Sequence, residues 1–207
     1  MLIFYLKQDF YMTVYSPDNQ YYAIIELGNV RVFDVKSNSL IANLTQKKSI
    51  NLPIRIVDLK FSHDSEHLLI TSALSGFIVL HIPTNTTRTI TINIPDLEFA
   101  HSIGFSDNNQ YIGFIVHGRD SRYILIKDVI TLSDKHLIEQ ACRYFIFESD
   151  TQIWFVDYED NLCLFDLPTN TILKTQHLDF YVNFITHSDN HENLILSSLF
   201  YELVIKK

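Results

Sequence analysis

The side chains of this 207-residue chain that could do chemistry fall into three groups. His63 and His67 stand four residues apart, as do His187 and His191, and Glu192 adjoins the second pair. Imidazoles at that spacing hold zinc when a helix places both on one face. Here each pair spans a turn between apolar runs, and the two pairs fall at different places in the repeat described below, so solvated turn histidines are expected and no metal is assigned. Cys142 and Cys163 fall on what read as the first and third strands of one sheet. Strands two apart lie about 9–10 Å from each other, beyond the roughly 7 Å between Cα atoms that a disulfide spans. Neither has a nearby His to activate it, so buried free thiols are expected. The third group, Asp157, Glu159 and Asp160, has the composition of a carboxylate pair or a calcium loop, but it sits where a hairpin turn is required and reads as a solvated turn. A Gly-rich phosphate loop and the Gly-x-Ser-x-Gly pattern are both missing. No catalytic, cofactor-binding or metal-ligating residue is therefore assigned.

The elements that position these residues come from an internal repeat. Tyr15-Ser16-Pro17-Asp18-Asn19-Gln20, Phe61-Ser62-His63-Asp64-Ser65-Glu66 and Phe105-Ser106-Asp107-Asn108-Asn109-Gln110 are three copies of one turn, and Phe147-Glu148-Ser149-Asp150-Thr151-Gln152 and His187-Ser188-Asp189-Asn190-His191-Glu192 are two weaker ones. The Ser position falls at 16, 62, 106, 148 and 188, so the spacings are 46, 44, 42 and 40, and a Gln or Glu follows four residues later each time. An apolar run comes next (residues 21–25, 67–70, 111–116, 153–156 and 193–196), and a third strand follows a short turn (30–35, 77–82, 123–129, 162–167 and 202–205). The turn after it recurs as Ile82-Pro83-Thr84-Asn85-Thr86 and Leu167-Pro168-Thr169-Asn170-Thr171, with Val35-Lys36-Ser37-Asn38-Ser39 as a polar variant. Pro presets φ and Asn takes the left-handed position such a turn needs. Fourth strands read over 40–46, 88–94 and 172–178, with a poorer 136–139 in the third copy. A repeat of about 40–45 residues with four short strands is the signature of a β-propeller.

These motifs resemble the WD40 repeat, which runs from Phe-Ser-Pro-Asp-Gly through a small-residue strand to Trp-Asp and a Thr-Gly turn. The matching stretches are Tyr15-Ser16-Pro17-Asp18-Asn19, Val30-Arg31-Val32-Phe33-Asp34-Val35-Lys36-Ser37-Asn38, and Phe165-Asp166 and Lys127-Asp128 in the Trp-Asp place. The similarity covers nearly the whole chain. No copy keeps the Trp, the Gly-His dipeptide is absent, and His81 and Lys206 stand at two of the Asp positions. A divergent relative, held more by apolar packing than by the family's buried polar network, is expected. The fold class is thus all-β, one propeller domain over 1–207 of about five four-stranded blades, with units near 8–46, 54–94, 99–139, 141–178 and 181–207 plus 1–7. The last copy stops after its third strand while an apolar stretch, residues 2–6, precedes the first. The expectation is that residues 2–6 complete the last blade and close the ring. The alternative is one part of a larger ring completed by another chain.

Composition supports this class and narrows the partners. Hydrophobic residues are 47% and aromatics 13%, the supply that strands favour, while only 5 Gly and 5 Pro leave the turns to Asn, Asp and Ser. A net charge of −8 argues against nucleic acid, whose affinity comes from Lys and Arg on phosphates, and suits a basic protein or peptide. No run reaches the roughly 18 apolar residues of a membrane helix, and the first residues lack the form of a signal peptide. Two cysteines fit a reducing compartment, so a soluble cytoplasmic monomer without cofactor is expected. In WD40 propellers, partner binding usually uses the face that collects the loops into each first strand and the hairpins between second and third strands. The resemblance therefore implies a non-catalytic interaction scaffold with Arg55, Phe99, Arg119, Arg122, Tyr158, Phe180 and Tyr181 as partner-binding candidates, Arg and aromatics being the residues that dominate interfaces. The apparent insertion at 117–122 is the strongest of these, because insertions map to loops. The alternative is a propeller enzyme or sugar-binding module with its ligand in a central channel.

Overall fold

Side chains that bond within five residues of themselves shape the recurring turns of this molecule. The computed structural model describes residues 12–26, 28–44, 56–72, 76–140, 142–188, 192–199 and 202–206. These form five antiparallel sheets, each a meander of consecutive strands. The first holds β1 (Met12–Tyr15), β2 (Tyr21–Glu26), β3 (Asn29–Asp34) and β4 (Leu40–Leu44), and the second β5 (Ile56–Phe61), β6 (His67–Ser72), β7 (Phe77–His81) and β8 (Thr86–Ile90). The third holds β9 (Leu97–Phe105), β10 (Tyr111–Gly118), β11 (Arg122–Asp128) and β12 (Asp134–Ile138), and the fourth β13 (Cys142–Phe147), β14 (Gln152–Asp157), β15 (Asn161–Asp166) and β16 (Thr171–His177). The fifth has three strands among the described residues: β17 (Phe184–His187), β18 (Asn193–Ser197) and β19 (Glu202–Lys206). Residues 2–6, expected to add a fourth, lie outside the described residues.

The two turns of the repeat are built as their sequences suggest. In the first, Ser16 Oγ donates to Asp18 Oδ1 at 2.7 Å and accepts from the Tyr21 amide at 2.9 Å, closing the link between β1 and β2. Ser62 does the same with Asp64 and His67, and Ser106 with Asn108 and Tyr111. Asn19, Ser65 and Asn109 take positive φ at the next corner. The fourth copy is one residue shorter: the Glu148 amide donates to the Gln152 carbonyl, where Ser16 reaches Tyr21. Gln152 therefore stands at the strand position of Tyr21, and the sequence spacing of four disguises a shift of one residue. In the second turn, Asp34, Asp128 and Asp166 accept from the amide and hydroxyl of Ser37, Thr131 and Thr169. These bonds hold the three carboxyls below the usual Asp range, against some burial at Asp128. His81 replaces the Asp of the second copy and turns its Nδ1 to Thr84 Oγ1 at 2.7 Å. Asn38, Asn85 and Asn170 hold the left-handed corner, and in the third copy Leu132 occupies it.

Most strand ends fall within two residues of the sequence reading, and the fourth strands of the second and third sheets show why some shift. β8 stops at Ile90, short of residue 94, because Ile90 pairs with Phe77, where its partner strand begins. β12 begins at Asp134, two residues early, because Lys127 is buried and forms an ion pair there with Asp134 across the ladder.

The chain divides into two compact units, residues 1–92 and 93–207. In the first, Ala23, Val30 and Val32 of the first sheet share one core with Leu68, Ile70, Ile78 and Leu80 of the second. In the other, Ile115, Ile124 and Ile126 pack with Cys142, Phe145 and Phe155, and a further core joins Trp154 and Leu162 to Leu194 and Leu196. Fully burying a side chain such as Phe145 contributes about 1.5–3 kcal/mol. Gly113 on β10 faces the Phe145 ring so closely that a Cβ there would lie 2.3 Å from its Cζ. Both cysteines are buried and free, and burial pushes the Cys142 thiol up to about 12, with Asp157 adding to the effect. Among the described residues no helix is long and apolar enough to cross a membrane.

Candidate functional site

The third sheet is the one whose strands run long. β9 has nine residues and β10 eight, against five or six in the second strands of the other four sheets. Residues 117–122 are thus not an inserted loop. His117 and Gly118 continue β10, Arg122 opens β11, and only Arg119, Asp120 and Ser121 form the tip. The ladder explains the extension: His117 pairs with Arg122 on one side and with Phe99 on the other, so the three residues form one row across the sheet.

That row is chemically specific. The Phe99 and His117 rings stack with centroids 4.1 Å apart and planes 15° from parallel. Phe99 remains 47% exposed while His117 is only 8% exposed. Burial pushes the His117 imidazole below its ordinary range, the Arg122 charge acts in the same direction, and Glu98 opposes them. A histidine so placed is neutral at neutral pH.

Arg122 leaves the row and reaches the fourth sheet, where its Cζ lies 4.1 Å from the centre of the Tyr158 ring. Tyr158 is carried by the turn between β14 and β15. Asp157 builds this turn by accepting from the Glu159 amide at 2.9 Å and the Asn161 amide at 2.8 Å, while Asp160 takes the positive-φ corner. From β13, Arg143 reaches the same turn, forms an ion pair with Asp160 and donates to the Tyr158 carbonyl at 2.8 Å. Its guanidinium carbon also lies 5.5 Å from the Tyr158 ring and 4.2 Å from that of Tyr181. Of the acidic cluster, Asp157 is therefore spent on the turn and Asp160 on Arg143. Together, Arg122, Tyr158, Arg143 and Tyr181 form a continuous run of alternating guanidinium and aromatic groups, each contact stabilising by about 0.5–1 kcal/mol at an exposed surface. Beside it opens a groove of about 490 Å³, lined by Phe99, His117, Arg119, Arg122 and Tyr158, with Glu98 and Asp120 also on its walls.

The seven candidates thus separate. Phe99, Arg119, Arg122 and Tyr158 share the groove, and Tyr181, 56% exposed, joins it through Arg143. Phe180 packs against the core of the fourth and fifth sheets. Arg55 lies outside the described residues. Arg143 was not legible as a site residue, because its partners Asp160 and Tyr181 come from two later turns. Of the histidine pairs, His63 lies in its turn and His191 lies outside the described residues, whereas His67 and His187 are strand residues. His67 is a half-buried strand residue, its ring 4.9 Å from that of His81 across the ladder, and His187 turns Nε2 to the Phe147 carbonyl at 2.8 Å. Burial lowers the His67 pKa. Among the described residues no group of three or more His, Cys, Asp or Glu is arranged to hold a metal ion.

No family model and no curated protein matches the sequence. Among solved structures, the chain is similar to the β-propeller domain of Cps50 (Swd1) from Myceliophteria thermophila, with a TM-score of 0.66 at 10% identity. The match covers 91% of this chain and 62% of that one, so the chain spans less than two thirds of its structural neighbour. With repeated four-stranded meanders, Ser-Asp and Asp-Thr turns at matching places and this structural likeness, the fold of the chain is that of a divergent WD40-like β-propeller.

Proposed function

We propose that the chain is a non-catalytic interaction scaffold that binds a protein or peptide at the groove on its third and fourth sheets. One observation carries this reading: Phe99, Arg122 and Tyr158, distant in sequence, are brought to one exposed and preorganised surface. Aromatic and Arg side chains held in advance lose little freedom on binding, which is what makes them interface anchors. Arg119 stands beside them and Tyr181 extends the surface. A partner that is basic overall suits the net charge of −8, which would speed its approach. Affinity capture with the intact protein tests the surface. The Arg119→Ala, Arg122→Ala double variant is expected to lose the recovered partners, and their retention at full strength would refute the placement.

The same proposal includes the scaffold's closure. Five blades form one ring, and residues 2–6 add the outer strand to β19. In support, the fifth sheet has three strands among the described residues, where the others have four. The protein acts as a monomer in the cytoplasm, a location that two buried free thiols favour.

A further inference from the structure

What a groove takes depends on which of its groups are already satisfied. An aromatic rim ordinarily invites a cation, because the ring face is negative. Here the rings are already in use. Tyr158 carries Arg122 at 4.1 Å, Tyr181 carries Arg143 at 4.2 Å, and Phe99 is stacked on His117 at 4.1 Å. The guanidiniums differ in the opposite sense. Arg143 is bound to Asp160 and to the Tyr158 carbonyl. Arg122 is exposed, its guanidinium carbon is held over the Tyr158 ring, and it forms no ion pair among the described residues. Its guanidinium N–H donors are not spent on any acceptor among the described residues, so they can meet a carboxylate through two parallel bonds.

Resting on the interaction reading above, we propose that the groove recognises a carboxylate side chain of the partner peptide, held by Arg122 and flanked by a basic residue. The flanking charge follows from Glu98 and Asp120, which line the groove and form no ion pairs among the described residues. It also follows from the acidity of the whole chain, which would repel a strongly acidic segment. The partner is therefore basic along its length and acidic at one anchoring point. Phe99 offers an apolar surface beside that anchor.

Two acetylated and amidated peptides, Gly-Lys-Glu-Gly and Gly-Lys-Gln-Gly, isolate the carboxylate, since they differ in that group alone. Titrated into the isotopically labelled intact protein and followed by NMR, the Glu peptide is expected to shift the Arg122 side-chain and Tyr158 ring signals saturably. It should bind at least about tenfold more tightly than the Gln peptide, the factor a charge-assisted pair supplies. Arg122→Gln should erase the difference. Arg122→Lys, which keeps the charge but not the fork, should reduce it. Equal binding of the two peptides, no saturable shift from either, or a preference that survives Arg122→Gln would each overturn the proposal. If the Arg119→Ala, Arg122→Ala variant still lost its cellular partners in such a case, the interaction surface would stand and only its carboxylate specificity would fall.

Discussion

At Gly113 the absence of a side chain sets how closely β10 approaches β13. A Cβ at this position would meet Phe145 Cζ at 2.3 Å and Cε2 at 2.7 Å, and Phe145 is 2% exposed within the core it shares with Phe147 and Phe155. Gly113→Ala is therefore expected to lower stability by about 1–3 kcal/mol, the usual cost of overpacking. Urea denaturation measures it, and an unchanged midpoint with unchanged slope would contradict the contact. Single residues also mark where sequence reasoning stops. Phe99, Arg122 and Tyr158 were legible as candidates because their types are those of interfaces. The row joining Phe99 to Arg122 through His117 was hidden, since it depends on strand register and not on residue type. Phe180 has an interface residue's identity and packs, half-buried, against a core, a placement residue type alone does not show.

Among the elements, the second repeat turn is where one copy departs from its siblings. Asn38, Asn85 and Asn170 sit at φ of 55°, 51° and 55°, and Leu132 is held at 58°. A residue without a short polar side chain pays roughly 1–2 kcal/mol to enter this region, and Asn pays less. The Asp128 bonds to Thr131 and the Leu132 amide bond to the Asp128 carbonyl keep the turn in place despite that cost. Leu132→Asn is expected to raise stability by about 1 kcal/mol and the melting temperature by a few degrees. Thermal unfolding of the two proteins side by side decides it, and a fall in melting temperature would mean that the half-buried Leu132 side chain outweighs its backbone cost. Local bonding also explains why the first turns at Ser16, Ser62 and Ser106 were located correctly from sequence and the fourth copy was misaligned by a residue. Ser, Asp and Asn act through bonds to groups two to five residues away, so their spacing is the structure. Where Glu148 and Leu132 replace them, the side-chain signal vanishes and backbone bonds, from the Glu148 amide to the Gln152 carbonyl and from the Leu132 amide to the Asp128 carbonyl, keep the shape.

For the whole molecule, the repeat made the sheet content legible, whereas joining the ends depends on residues that carry little pattern. The proposed closure by residues 2–6 has a direct consequence. Deleting them should lower the melting temperature or convert the protein to oligomers, because an open strand edge recruits another chain. A deletion variant that melts unchanged and sediments as a monomer would refute it. The single Trp154 makes such experiments unusually easy to read. It is buried on β14, donates Nε1 to Glu148 Oε2 at 3.0 Å, and shares its core with Leu194 and Leu196 of the fifth sheet. The chain thus contains one indole fluorophore, seated where the last sheet meets its neighbour. A red shift in its emission would report that the fifth sheet had come away, before the rest of the chain had lost its strands.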